Sequence, residues 1–551
     1  MKIFNKIYAP FVLSAALAIG IVVGNFMSEQ KSMISKAKSV FTVSGKLDYI
    51  LQDIDKNYVD TVSIDSLTEK MIPILLKELD PHSIYISAKD LESANEELQG
   101  NFGGVGIQFR IFDDTVMVMH VVESGPSQKV GLKDGDRVIS VNDSIIAGVD
   151  MKNDDVMDLL RGQFGTTVKV GVYRPSTDQI LDFNIRRGNI PVESVEVSYM
   201  LNEKTGYINV TRFGQNTYNE FLIALAKMKQ AGATSVIIDL RGNTGGYLGA
   251  AIQMINEFLK RGEMIVYTDG KSQQRQEYKA DGSGTCQNMR VAILLDEWSA
   301  SASEIFAGAI QDNDRGIIIG RRSFGKGLVQ NQQDLYDGSA IRLTVARYYT
   351  PSGRCIQKDY EEGSEDYAED LWNRFQHGEM DTKDSISFKN TKSFATKLGR
   401  KVYDSGGIMP DVFIPRDTST YTEFSAKVST EGLTVRYAFF YVDKNRDELL
   451  KIVKKGGVYA LVSHLDKQDV FSDFLSLVRD NKIKYTSADL ATSGDMLKTQ
   501  LYGFIGQNLI EAEGFYPIIK DIDNTLLEAE SIMILSDDAF KSKMMDGYVE
   551  K

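Results

Sequence analysis

The sequence predicts a mixed α/β protein, with a layered α/β core in the middle of the chain, a turn-rich β domain before it and helical regions at both ends. Three patterns predict it. Apolar runs without period-two alternation, Val236-Ile237-Ile238 and Val291-Ala292-Ile293-Leu294-Leu295, read as strands covered on both faces, and they alternate with helical stretches. Short strands broken by Gly-Gly, Gly-Pro and Asp-Gly pairs fill the region before them. Apolar residues at i, i+3, i+4 and i+7 mark amphipathic helices towards each end.

At 551 residues the chain has room for several domains, and 42% hydrophobic with 25% charged residues is the balance of a folded globular protein. Lys and Arg total 63 against 76 Asp and Glu, a formal charge of −13. That balance excludes a general nucleic-acid binder, because phosphate contacts need clustered cations. Cys286 and Cys355 are too few and too far apart for a disulfide framework or a thiolate metal site; they form one bridge or none. His82, His120, His377 and His464 stand without HExxH or HxH spacing, so no metal ligands are assigned and no cofactor is expected.

In chain order, Lys2 and Lys6 precede an uncharged, largely apolar stretch from Ile7 to Ser28 that is long enough to cross about 30 Å of hydrocarbon. Positive charge before it keeps that end cytoplasmic and sends everything after Glu29 across the membrane. Ala16-Leu17-Ala18 has the form of a signal cleavage site, yet the apolar run continues past it. An uncleaved inner-membrane anchor over 1–28 is therefore favoured over a soluble periplasmic product, with the bulk of the chain periplasmic either way. Residues 29–90 read as a helical N-terminal domain, from Leu47, Ile50, Leu51, Ile54 and Tyr58 and then Leu67, Met71, Ile74 and Leu75, the second helix interrupted by Pro73. Simple packing is the first reading of this domain, dimerisation or tethering the second.

Over 91–187, strands are expected at Val105–Arg110, Val116–Val121, Arg137–Val141 and Thr167–Tyr173, with one helix from Asn153 to Arg161. Gly104-Val105-Gly106-Ile107, leading into a strand, resembles the carboxylate-binding loop of PDZ domains, and the run from Gly131 to Asn142 (GLKDGDRVISVN) resembles their second signature. That resemblance implies a PDZ-like domain. Main-chain amides of the loop would hold a terminal carboxylate, and the peptide would add as a strand to the domain edge. Such a domain reads the C-termini of other proteins.

The core, 188–417, has expected strands at Thr205–Val210, Ser235–Leu240, Val291–Leu295 and Ile317–Gly320, with helices from about Asn219, Gly249 and Ser301. Ligands in such cores sit where strands feed loops into helix N-termini. Two of these junctions are unusual: Asp296 to Ile305, with three serines at a helix start, and Arg321 to Gln330. Ser301-x-x-Glu304 has the form of a capping box, so helix capping is the plain reading of Ser301. Gly320-x-x-x-x-Gly325-Lys326 matches most of a P-loop, but position 327 is Gly where a Ser or Thr is needed, and Leu328-Val329-Gln330 starts a strand where a helix is needed. A nucleotide-binding function is thereby disfavoured.

Ser299 to Gly308 (SASASEIFAG), Gly325 to Gln330 (GKGLVQ), Asp239 to Gly246 (DLRGNTGG), Asp80-Pro81-His82-Ser83 and Gly406 to Asp411 (GGIMPD) together resemble the carboxyl-terminal processing, or tail-specific, serine proteases, from about Leu47 to Pro415. The resemblance implies a crotonase/ClpP-like core preceded by a PDZ domain. It also implies Ser301 as nucleophile, Lys326 as its base and Gln330 as the residue that orients the lysine. Thr244 departs from the Pro or Gly that relatives often carry before the glycine pair.

No histidine stands in either junction loop, so a Ser-His-Asp triad is not available and a lysine takes the proton, which requires a neutral amine and hence burial. The oxyanion pair is expected from the amide of Ala302 with one from Gly245 or Gly246. Expected partners are protein or peptide substrates with apolar C-termini, bound at Gly104, Val105, Gly106 and Ile107, and the inner membrane; a homo-oligomer or an adaptor protein is left open. A catalytically idle PDZ scaffold of the cell envelope is the alternative function. Residues 418–551 read as mostly helical, with Phe471, Phe474, Leu475 and Val478 on one helix face, and suit dimerisation or partner docking.

Overall fold

The computed structural model describes residues 43–361, 363–386, 392–404 and 406–546. The expected anchor or signal segment over 1–28 lies outside the described residues, and among those described no helix is long and apolar enough to cross a membrane. The chain divides into two compact units, 1–79 and 80–551. In the first, helices run over Val43–Asn57 and Ile64–Lys77. Ser63 caps the second by accepting the Ser66 amide at 3.2 Å, and Pro73 falls inside it.

The second unit is built on a six-stranded sheet in the order Val195–Met200, Thr205–Val210, Ser235–Asp239, Arg290–Leu295, Ile317–Gly320, Val412–Phe413. The first pair is antiparallel and the rest are parallel. Alternate side chains of these strands leave by opposite faces. Ile208, Val236, Ile238, Val291, Ile293 and Ile318 pack with Phe221, Phe258 and Phe306 from the helices and loops on one side. Tyr207, Ile237, Ala292, Leu294, Ile317 and Ile319 pack instead with Leu526, Ala529, Ile532 and Met533. The absence of alternation in the apolar runs thus has its cause in two apolar layers, and the second layer is supplied by the C-terminal helices Asn524–Met533 and Asp537–Asp546.

A second, five-stranded sheet joins Ile84–Ile86, Ala340–Tyr349, Met264–Asp269, Gln276–Lys279 and Leu328–Asp334. Ile84–Ile86 pairs antiparallel with Ala340–Arg342. The segment from Asp80, grouped by sequence with the N-terminal helices, therefore belongs to the core.

The PDZ-like region is a sheet in the order Ile107–Phe112, Thr115–Val121, Arg137–Val141, Thr167–Arg174, Gln179–Arg186, with helices Pro126–Val130 and Asn153–Leu160. A two-stranded ribbon, Asn101–Gly104 against Gly188–Pro191, connects it to the core. The C-terminal region begins with helices Glu423–Thr430, Leu433–Lys467, Val470–Asp480 and Ser487–Ile519, which enclose their own core around Leu461, Phe474, Leu501 and Ile505. It touches the PDZ-like sheet through Arg137–Asp443 and Arg446–Asp134 ion pairs, both 3.1 Å, and through Phe112 against Phe439.

Candidate active site

Ser301 lies between the strand Arg290–Leu295 and the helix Ala302–Asp312, at φ 54° and ψ −111°. A non-glycine residue in the left-handed half of the map is strained and persists only where its surroundings fix it. The fixing group is Glu304. Its carboxylate accepts the Ser301 amide (2.8 Å) and the Lys326 amide (2.9 Å) on Oε2, and the Ser323 hydroxyl (2.5 Å) and the Gly325 amide (2.7 Å) on Oε1. Burial pushes this carboxyl up to about 7, against the four donors that favour its charged form. The capping box that the Ser301-x-x-Glu304 spacing suggests is present, with Glu304 reaching back to the Ser301 amide at the start of the helix.

One carboxylate thus joins the backbone of Ser301 to that of Lys326 across two loops. Tyr348, also buried, bridges them a second time: its single O–H proton goes to the Lys326 carbonyl at 2.5 Å, or is shared with the Ser301 carbonyl 3.2 Å away. Because the Gly325 and Lys326 amides are taken by Glu304, and Leu328–Asp334 is a strand, the P-loop-like spacing here forms no phosphate cradle.

Burial pulls the Lys326 amine below the ordinary lysine range, with Glu304 and Asp80 acting in the opposite direction. Its Nζ donates to Gln330 Oε1 at 3.0 Å. The Gln330 amide is fixed in turn, because Nε2 donates to the His82 carbonyl. His82 is delivered by a turn in which Asp80 accepts the His82 amide (2.8 Å), the Ser83 amide (2.8 Å), the Ser83 hydroxyl (2.6 Å) and the Thr344 hydroxyl (3.1 Å). Thr344 is the register partner of Gln330 in the neighbouring strand, so the turn is tied to the strand that carries the glutamine. Burial, and then the charge of Lys326, pushes the His82 imidazole down to about 4, which leaves it neutral near pH 7, with Nε2 2.7 Å from the Tyr367 hydroxyl.

Opposite these loops runs 240–246. The Asn243 carbonyl accepts the Ala300 amide (3.0 Å) and the Ser303 hydroxyl (2.8 Å), one on each side of Ser301. Gly245 has φ +105°, and a Cβ there would lie 2.7 Å from Ser301 Cβ, so only glycine lets this loop approach. The Gly245 amide, one of the two expected at the oxyanion position, donates to Asn243 Oδ1 at 2.9 Å and is not available to a substrate in this arrangement. Gly246 has φ +141° and pairs with Phe213, and Ala302 is the buried first residue of its helix.

In the PDZ-like region Gly104 ends the connecting ribbon, Val105 is buried with its carbonyl accepting the Ser127 amide (3.0 Å) and hydroxyl (2.7 Å), and Gly106 has φ +76°. Ile107 opens the strand at the edge of the sheet. Cys286 and Cys355 are free thiols. The sequence reading missed the carboxylate bridge of Glu304, the hydroxyl of Tyr348 and the carbonyl of His82. The Ser301-x-x-Glu304 and Asp80-Pro81-His82-Ser83 motifs flag two of these positions but not what they bind.

The family model for Peptidase family S41 matches residues 204–364, that for the PDZ domain matches 103–185, and that for a family of unknown function, DUF8443, matches 424–511. The chain is 34% identical over 333 residues to the "Probable CtpA-like serine protease" of Staphylococcus epidermidis (strain ATCC 12228 / FDA PCI 1200), covering 60% of this chain and 66% of that protein, just under two thirds of the relative's own length. It is 32% identical over 359 residues to the "Carboxy-terminal processing protease CtpA" of Bacillus subtilis (strain 168), covering 65% of this chain and 75% of that one. Among solved structures it is similar to the "Photosystem II D1 C-terminal processing protease" at 25% identity and TM-score 0.35, covering 67% of this chain and 88% of that one.

Proposed function

Since this chain belongs to Peptidase family S41, among the carboxy-terminal processing proteases, and carries a PDZ domain, we propose that it is a serine endopeptidase with Ser301 as nucleophile and Lys326 as general base. The observation that carries the reading is the setting of the lysine: a partly buried amine, its pKa lowered by desolvation, whose hydrogen bond goes to an amide oxygen and not to a carboxylate. A lysine takes up a proton only when neutral, and an amide oxygen binds the amine without the strong bias to its charged form that a carboxylate brings.

A neutral Lys326 donates one N–H to Gln330 Oε1 and keeps its lone pair for the Ser301 hydroxyl. Ser301 Oγ attacks the scissile carbonyl as its proton passes to Lys326 Nζ. The negative oxygen is held by the amides of Ala302 and Gly246. Lys326 then protonates the leaving amine, and the acyl-enzyme is hydrolysed by a water that Lys326 deprotonates in turn.

In the same reading, 1–28 anchors the protein in the inner membrane with the rest periplasmic. The loop Gly104-Val105-Gly106-Ile107 captures substrate C-termini that end in an apolar side chain, the peptide adding to the edge strand Ile107–Phe112. The test uses the full chain in detergent, without metal or nucleotide. It should cleave unfolded proteins with apolar C-termini, and amidating those termini should slow cleavage below saturation. Absence of cleavage by the wild type, or undiminished cleavage by Ser301→Ala, overturns the endopeptidase reading. Equal rates on amidated and free substrates assign the PDZ domain to partner binding or gating instead.

A further inference from the structure

We propose that Asp523, in the C-terminal region, is a positioning residue for the loop 240–246 that flanks Ser301. The inference rests on the endopeptidase reading. Asp523 lies outside both the stretch matched to Peptidase family S41 and the stretch matched to the family of unknown function.

The geometry is a guanidinium held between two carboxylates. Arg241 opens the loop. Its Nε and one terminal nitrogen bind Asp239, at 2.9 Å to Oδ1 and 2.6 Å to Oδ2. Both terminal nitrogens bind Asp523, at 2.9 Å to Oδ1 and 2.6 Å to Oδ2. Two parallel charge-assisted bonds fix the direction of the guanidinium plane as well as its distance. Asp239 ends the strand from which the loop departs, and it also accepts the Tyr207 hydroxyl at 2.7 Å. Asp523 stands on a different element, just before the helix Asn524–Met533 that covers the rear of the sheet. It is therefore the partner that ties the start of the loop to the C-terminal layer. Burial alone would raise the Asp523 carboxyl, and the Arg241 guanidinium holds it below the usual carboxylate range.

From Arg241 the path to the reacting atoms is short. The Gly242 amide donates to Asp296 at 2.9 Å, and the carbonyl of the following residue, Asn243, takes the Ala300 amide and the Ser303 hydroxyl on the two sides of Ser301. Displacement of Arg241 is thus transmitted to the loop that presents Gly246, without direct contact between Asp523 and substrate.

The test compares the full-length wild type with Asp523→Asn. Asparagine is as good an N-cap as aspartate, so it keeps an oxygen for the Leu526 amide, which Asp523 accepts at 3.1 Å, but loses the charge and one acceptor. The expected result is a kcat lowered about 10- to 100-fold, the scale of a small misplacement of catalytic groups. KM should stay within about twofold, thermal unfolding should remain cooperative, and Asp523→Glu should recover part of the loss. A kcat within about twofold of wild type, or a loss confined to KM, overturns the inference while leaving the endopeptidase reading intact. A wild type that cleaves nothing overturns that reading and this inference with it. Should Asp523→Asn not fold, Asp523→Ser, a shorter neutral cap, is read in the same way, and failure of both to fold makes Asp523 a structural residue and refutes the positioning role.

Discussion

Replacing Glu304 by glutamine keeps the shape of the side chain but exchanges one acceptor oxygen for an NH2 group that accepts nothing. In one orientation the NH2 faces the Ser301 and Lys326 amides, which approach the carboxylate at 2.8 and 2.9 Å, and both donors are orphaned. In the other it faces the Gly325 amide and the Ser323 hydroxyl, and the hydroxyl can turn to accept, so one donor is orphaned. The second orientation wins, at about 1–3 kcal/mol for the stranded N–H. The penalty depends on pH. The folded-state carboxyl sits near 7, above its unfolded value, so the stability contributed by proton uptake at Glu304 is fully present below about 4.5 and lost as pH rises through 7. The glutamine variant has no such dependence, and its deficit relative to wild type should be larger at pH 5 than at pH 8. Urea unfolding followed by far-UV circular dichroism measures both. Because Glu304 spaces the Ser301 and Lys326 loops, kcat should also fall at least about 10-fold. A variant with wild-type midpoint and wild-type kcat would refute the claim that this carboxylate holds the two loops in register.

Gln330→Glu places a carboxylate on the Lys326 amine, raises its pKa, and should shift the rising limb of the kcat/KM profile to higher pH; an unmoved limb would mean that Lys326 is not the group titrating. In the wild type that limb should lie below the ordinary lysine value near 10.5, since burial lowers the amine, and activity should rise with pH as the amine loses its proton. Tyr348→Phe removes the hydroxyl shared by the Ser301 and Lys326 carbonyls; stability should drop by about 0.5–1.5 kcal/mol and kcat should fall with KM little changed, whereas a loss seen only in KM would assign the residue to substrate binding.

What the sequence disclosed and what it withheld divide along physical lines. The buried strands were legible because two apolar layers leave a run without alternation, yet the run does not say what covers its second face, and the cover proved to be helices from the far end of the chain. Ile84–Ile86 is too short to outweigh the helical periodicity before it, and its pairing with Ala340–Arg342 is a long-range contact without local signal. At the site, Ser301, Lys326 and Gln330 were singled out through the resemblance of their junctions to the tail-specific proteases, since by residue type alone Ser301 reads as a helix cap and Lys326 as a turn lysine. The His82 contribution was not legible, because it is made by a main-chain carbonyl, which every residue possesses. Glu304 was legible only as half of a capping motif, since spacing within one helix reveals nothing of donors arriving from another loop. Gly245 and Gly246 could not be told apart by sequence; the amide of the first is turned to Asn243 Oδ1.

The central claim is that Ser301 is a nucleophile activated by a neutral Lys326. The most direct measurement treats the full-length protein with a fluorophosphonate and maps the adduct by mass spectrometry, in the wild type and in Lys326→Arg, whose guanidinium stays protonated and so cannot act as a base. The account predicts a single adduct on Ser301 whose rate of formation rises with pH in the wild type and is lost in the arginine variant. Labelling of another residue, or labelling of Ser301 at the same rate in both proteins, would contradict it.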